Sequence, residues 1–172
     1  EPSQILDEVK KIVSKTFSSE TMNLRDGMDI ALIKVQGKKL SYAGANNPLW
    51  IFRNDINDLS SSHPKLKIDW DNKLIELKAD KQPIGKTHQT VNFEQIELQL
   101  QDDDFLFLFS DGYADQFGGD KGKKLKTANL KSIIRSILSE KLDISTELDK
   151  RFADWKGELE QVDDVCILGI QV

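Results

Sequence analysis

Three aspartates stand where carboxylates could converge. Asp111 follows the run Phe105-Leu106-Phe107-Leu108-Phe109-Ser110 and precedes Gly112, while Asp163-Asp164 precedes the last apolar run of the chain, residues 165–172. Phe105–Phe109 is apolar at every position, so it reads as a strand covered on both faces. Such a strand delivers its last residue to a fixed point, and Gly112 lets the backbone turn sharply and approach a ligand closely. Residues 165–172 read as a second strongly apolar strand. If the two are antiparallel neighbours, the end of one lies beside the start of the other, and Asp111 and Asp163 meet at one sheet end. Carboxylates at the rim of a core are costly unless a cation balances them. An all-oxygen donor set suits Mg²⁺ or Mn²⁺. The plainer alternative is a turn at Asp-Gly and a solvated cap at Asp-Asp, and spacing alone leaves both open.

The elements that must position these residues follow from periodicity. Ile5, Leu6, Val9, Ile12, Val13 and Phe17 have helical spacing over residues 3–18, with Ser3 placed to cap the start. Residues 19–27 are polar and end in the turn signal Asp26-Gly27. Residues 28–35, 40–45 and 49–53 read as strands. Gln36-Gly37-Lys38-Lys39 joins the first two as a tight hairpin, and Asn46-Asn47-Pro48 joins the second to the third. Residues 54–72, with serines at 60–62, read as a surface loop. Residues 73–78 read as a short, edge-like strand and Pro83-Ile84-Gly85 as a turn. Residues 91–100 alternate apolar and polar, with a slip between Phe93 and Ile96 that predicts a bulge. Leu130, Ile133, Ile134, Ile137 and Leu138 predict a helix over 127–139, and Leu148, Phe152 and Trp155 another over 144–157. Strands in a run followed by helices predict an α+β fold, antiparallel sheet with helices packed outside.

Composition narrows the function classes. The 172 residues are 38% hydrophobic, enough for one domain with a core. A net charge of −5 leaves no basic excess for nucleic-acid phosphates. No apolar run approaches the roughly 20 residues that span a bilayer. The start Glu1-Pro2-Ser3-Gln4 lacks the pattern of a signal peptide and reads like a chain cut from something longer. The lone Cys166 excludes an internal disulfide and a cysteine-rich zinc site. Within Val165-Cys166-Ile167-Leu168 it reads as a small buried hydrophobe, and a reducing compartment fits.

Several segments, in order, resemble the SpoIIE/RsbU branch of the PPM metal-dependent serine/threonine phosphatases. They are Met28-Asp29-Ile30-Ala31-Leu32, Tyr42-Ala43-Gly44-Ala45-Asn46-Asn47-Pro48, Pro83-Ile84-Gly85, Phe107-Leu108-Phe109-Ser110-Asp111-Gly112 and Gln161-Val162-Asp163-Asp164-Val165-Cys166-Ile167. The run Asp115-Gln116-Phe117-Gly118-Gly119 resembles the large bacterial sensor phosphatases of that branch. The resemblance implies a largely antiparallel β-sandwich flanked by helices, in α-β-β-α layers, over a single domain spanning 1–172. It implies that Asp111 and Asp163 are the metal ligands and catalytic residues. Asp164 would orient waters or the loop, and Gly112 and Asn46 would stand near the site. It further implies two Mn²⁺ or Mg²⁺ ions, which acidify a water that attacks phosphorus in line. The substrate would be a phosphorylated protein, such as an anti-sigma-factor antagonist in bacterial partner-switching signalling. The location would be cytoplasmic, as the output domain of a larger sensor.

One departure from the family pattern matters. The family's domain opens with strands carrying a Gly-Asp motif whose aspartate bridges both metals, and no such motif precedes the helix at residues 3–18. We therefore expect an N-terminally incomplete domain, short by roughly 60–70 residues. Its metal binding would be weak or absent and this chain inactive alone. Exposed sheet edges would follow, and a homodimer or strand exchange is one way to cover them. The alternative from another class is a non-catalytic protein-binding module built on a degenerate phosphatase fold.

Other polar residues have simpler readings. Asp29 suits a solvent-facing strand position, and Asn46 and Asn47 suit a turn before Pro48. His63 and His88 lack partners at zinc spacing and read as exposed. Residues 121–126 form a basic, solvated loop that could face a phosphoprotein. Trp155 reads as core or helix-docking surface, while the sequence does not decide the roles of Trp50 and Trp70.

Overall fold

The computed structural model describes residues 1–16, 27–56, 63–85 and 91–172. Phe17, Asp26, the serines at 60–62 and His88, each given a reading above, lie outside the described residues. In chain order the elements are α1 (Pro2–Thr16), β1 (Gly27–Met28), β2 (Ile30–Gln36), β3 (Lys39–Ala45), β4 (Leu49–Phe52), β5 (Leu66–Asp69), β6 (Leu74–Leu77), β7 (Ile84–Gly85) and β8 (Ile96–Gln99). They continue with β9 (Phe105–Phe109), α2 (Gly112–Asp115), β10 (Phe117–Gly118), β11 (Lys123–Lys124), α3 (Thr127–Glu140), α4 (Ile144–Lys156) and β12 (Ile167–Gln171). The backbone divides into two compact units. The first comprises Glu1–Trp70, Leu74–Leu108 and Gly169–Val172; the second comprises Asp71–Lys73 and Phe109–Leu168.

The first unit is a sandwich of two sheets, ordered β2-β3-β8 and β12-β9-β4-β6-β5. Gln36 pairs with Lys39, so Gly37 and Lys38 form the two-residue loop expected there, with Gly37 at φ 57. Leu40 and Tyr42 of β3 and Ile96 of β8 share one core with Leu49 and Ile51 of β4, Ile75 and Leu77 of β6 and Leu106 of β9. The two sheets therefore face each other across this cluster. The alternate residues of β3 pack on α1, where Ala43 and Ala45 meet Leu6, with Val9 and Val13 beside them. Strand periodicity and helical periodicity thus meet at one interface. Arg53 and Asp104 are buried in this unit as a two-bond ion pair, Nε to Oδ1 at 2.8 Å and Nη2 to Oδ2 at 2.6 Å.

Several expectations need correction here. Residues 66–69 form β5 inside the stretch read as a loop. They pair with β6 from Leu66↔Leu77 to Asp69↔Leu74, so β6 is interior to its sheet and not an edge. Residues 84–85 pair with β1 rather than forming only a turn. Of residues 91–100, only 96–99 are strand; Phe93 is buried against α1 by an irregular segment. The closing strand β12, strongly apolar in sequence, lies at the end of its sheet order and is not buried: Leu168 is 52% exposed. Cys166 is exposed, not buried.

The second unit is built on α3 and α4. Leu130, Ile134 and Ile137 bury one stripe of α3, and Leu148 is buried on α4. Asp143 caps α4 by accepting from the Thr146 amide at 2.8 Å. Tyr113 of α2 lays its ring 4.9 Å from Phe152 and donates its hydroxyl to the Leu148 carbonyl at 2.9 Å. The β10–β11 hairpin, absent from the sequence expectations, docks on Trp155. The Gly119 amide donates to the Trp155 carbonyl at 2.9 Å. A Cβ on Gly118 would overlap that carbonyl, which explains the paired glycines.

Candidate functional site

The site begins with Ser110, the first residue past β9. Its amide donates to the Cys166 carbonyl at 2.9 Å. Its hydroxyl donates to the Asp164 carbonyl at 2.7 Å and accepts from the Cys166 amide at 2.9 Å. Two residues on, Gly112 lies so close that a Cβ would collide with the Asp164 carbonyl oxygen and sit 3.3 Å from the Asp163 carbonyl carbon. Residues 110–112 and 163–166 therefore run side by side, with Asp111 and Asp163 on adjacent backbones. The close approach depends on glycine at 112.

The three carboxylates differ in what holds them. Asp111 occupies the N-cap position of α2 at φ −75, ψ −16, yet makes no side-chain cap bond. Among the described residues nothing donates to its carboxylate. Asp163 accepts the Asp164 amide on Oδ1 at 2.7 Å, and its own carbonyl accepts from Gln161 Nε2 at 2.8 Å. Both of these, and Asp164, are exposed. Among the described residues no Lys or Arg is ion-paired to any of the three. Acidic, oxygen-only and without a counter-ion among the described residues, the three side chains are of the donor type that hard cations take. Among the described residues no group of three or more His, Cys, Asp or Glu is arranged to hold a metal, so Asp111, Asp163 and Asp164 do not by themselves make a preassembled metal site.

The remaining expected residues have local partners. Asn46 sits at φ 57 in the β3–β4 turn, and its Nδ2 donates to Asp29 Oδ1 at 2.8 Å. Asp29 is exposed, as a solvent-facing position requires. His63 is half-buried, with Nε2 3.1 Å from Glu94 Oε1, where full exposure was expected. Lys65 bridges Asp80 at 2.5 Å and Glu94 at 2.8 Å, a cluster with no short-range signal in the sequence. Trp50 is buried and Trp70 exposed. Trp155 is a docking residue: its Nε1 donates to the Gln116 carbonyl at 2.9 Å. Sequence reasoning missed Ser110 and Gln116 as site-shaping residues, although both lie inside segments that it singled out.

Comparison with known proteins gives a consistent picture. The family model described as Stage II sporulation protein E (SpoIIE) matches residues 1–172. A comparison with curated proteins gives no match. Among solved structures, the SiaA PP2C domain of Pseudomonas aeruginosa superposes with a TM-score of 0.76 at 24% identity, covering 99% of this chain and 61% of that one. The PP2C phosphatase domain of SpoIIE from Bacillus subtilis, with a fragment of its regulatory domain, gives 0.61 at 16%, covering 98% and 48%. The catalytic domain of the serine/threonine phosphatase PstP, in complex with two manganese ions, gives 0.52 at 14%, covering 94% and 64%. The chain spans about half to two-thirds of the length of these structures. Their shared fold is the mixed helix and antiparallel sheet arrangement described above.

Proposed function

The chain belongs to the SpoIIE family, and from that premise we propose that it is the greater part of a phosphatase domain that hydrolyses phosphoserine and phosphothreonine in a phosphorylated protein. The observation that carries this reading is the Gly112 contact, which sets the Asp111 and Asp163 backbones against each other. Asp111 and Asp163 are the cation-holding residues. Manganese in the PstP structure and a Mn-presoaked SpoIIE phosphatase domain support Mn²⁺ as the ion, and all-oxygen donors suit Mg²⁺ as well. When bound, such ions supply charge neutralisation at phosphoryl oxygens and a water acidic enough to attack phosphorus.

The protein's own residues do the positioning. The Asp164 amide donates to Asp163 Oδ1, and among the described residues no hydrogen bond is made to Oδ2. The unpaired Asp111 carboxylate needs to break no internal bond to coordinate. Two carboxylates alone hold a divalent cation weakly, so we expect little activity from the 172-residue chain by itself. The resemblance supports partner-switching signalling, with an anti-sigma-factor antagonist as the phosphoprotein and a cytoplasmic site of action. Among the described residues no helix is long and apolar enough to cross a membrane.

The test is Mn²⁺-dependent hydrolysis of p-nitrophenyl phosphate by this chain and by a protein extended at its N terminus to the length of its structural relatives. The extended protein should be active, and Asp111→Asn or Asp163→Asn should lower kcat/KM by about 100-fold or more. An inert extended protein that Asp111→Asn leaves unchanged would favour the non-catalytic binding module.

A further inference from the structure

Gln116 is fully buried, at 0% exposure, one residue past α2. Both hydrogens and the oxygen of its side-chain amide are engaged. Nε2 donates to the carbonyls of Phe117 and Glu160, both at 2.9 Å, and Oε1 accepts from the Val162 amide at 3.3 Å. A donor to the carbonyl of residue 160 and an acceptor for the amide of residue 162 reproduce what a neighbouring strand would offer. The segment it reads is the one that carries Asp163. Residues 158–162 are exposed, and Val162 is 55% exposed, so little packing restrains them. Among the described residues, every hydrogen bond from 158–163 to a distant part of the chain ends on Gln116; the others are local, such as Leu159 to Lys156 and Gln161 to Asp163.

Asp163 is therefore held from both sides. Gln116 grips the backbone before it, and Ser110 grips the Asp164 carbonyl and Cys166 amide after it. Both grips come from the short stretch that contains Asp111. Resting on the phosphatase reading above, we infer that Gln116 is a positioning residue that fixes the Asp163 carboxylate relative to Asp111, and so sets the affinity of the site for its divalent cation. Glutamate at 116 would turn an ionised oxygen toward two carbonyl oxygens, and methionine would leave all three backbone groups without the amide. Neither reproduces the pattern.

The experiment uses the N-terminally extended protein and measures Mn²⁺ binding directly, from the electron paramagnetic resonance signal of free Mn²⁺, beside hydrolysis of p-nitrophenyl phosphate. Gln116→Met and Gln116→Glu should raise the Mn²⁺ concentration for half-saturation about 10- to 100-fold. Hydrolysis at saturating Mn²⁺ should recover to within about threefold of the parent, since the reacting groups are intact. Val162→Pro removes one bond of the clamp from the loop side at an exposed position, and should shift Mn²⁺ binding in the same direction. Trp155→Phe breaks the bond to the Gln116 main chain but not the amide clamp. It should lower thermal stability and leave Mn²⁺ half-saturation within about twofold. The inference is overturned if Val162→Pro or the folded Gln116 variants bind Mn²⁺ like the parent, or if Trp155→Phe weakens binding as much as they do. Mn²⁺ binding without hydrolysis in the parent would remove the phosphatase reading and leave the positioning role standing.

Discussion

The Ser110 hydroxyl spans the two backbones that carry the candidate ligands, donating to the Asp164 carbonyl at 2.7 Å while the Cys166 amide donates to it at 2.9 Å. One side chain thereby satisfies an acceptor and a donor two residues apart, on the far side of Asp163 from the Gln116 clamp. Ser110→Ala removes both bonds at a rim that water can reach, so the cost should be modest, about 1 kcal/mol in urea unfolding. Ser110→Thr keeps the hydroxyl and should stay close to the parent. Equal stability of the alanine and threonine variants would show that the bridge contributes nothing.

Gly112→Ala tests the close approach itself. The added methyl would overlap the Asp164 carbonyl oxygen and lie 2.9 Å from its carbon, so one backbone must move. Overpacking of this kind costs about 1–3 kcal/mol. The larger consequence should be catalytic: displacement of Asp163 from Asp111 should lower Mn²⁺-dependent hydrolysis by the extended protein about 100-fold. Circular dichroism should remain native. An active Gly112→Ala protein would mean that the spacing of the two segments does not matter to the reaction.

What the sequence made legible follows from the range of each interaction. The β2–β3 hairpin and the helices α3 and α4 are written locally, in alternation, in Gly37 and in apolar residues three and four apart. The β6 strand reads as an edge because Lys73 and Lys78 flank it like edge charges, while its second neighbour is the short Leu66-Lys67-Ile68-Asp69 strand in a polar stretch. Residues 165–172 look buried by composition, yet β12 ends its sheet order, and the number of a strand's neighbours is not recorded in its own residues. The site divides in the same way. Strand ends point to Asp111 and Asp163, whereas the role of Gln116 depends on which backbone reaches it from 44 residues away.

Arg53 and Asp104 give a prediction about the sandwich. The side chains are 4% and 0% exposed, and the carboxylate also accepts the Gln101 amide at 2.9 Å. Removing one partner strands a buried charge, so Arg53→Ala or Asp104→Ala should cost about 3–5 kcal/mol. Replacing both, Arg53→Met with Asp104→Leu, should cost less than either single change, because no charge is left buried. The Gln101 amide and Gln99 carbonyl would still lose partners, so the double variant should not match the parent. A double-mutant cycle in urea measures the coupling. Additive single effects would show that the two groups do not act as a pair.

Tyr113 makes the second unit sensitive to alkali. Burial pushes its hydroxyl from the ordinary value of 10.0 up to about 12, with nearby Arg151 opposing and Asp149 adding to the shift. The folded state thus binds the phenolic proton more tightly than the unfolded state does. Its contribution is fully present below pH 10 and is lost as pH rises through about 12. Ionisation would also remove the hydrogen donated to Leu148. Unfolding midpoints measured between pH 9 and 12 should fall more steeply in the parent than in Tyr113→Phe, which lacks the titrating group. At pH 7 the phenylalanine variant should be less stable by about 1 kcal/mol, for the orphaned Leu148 carbonyl. Parallel pH profiles for the two proteins would mean that Tyr113 ionises as freely in the fold as in the unfolded chain, and that the Leu148 bond does not hold its proton.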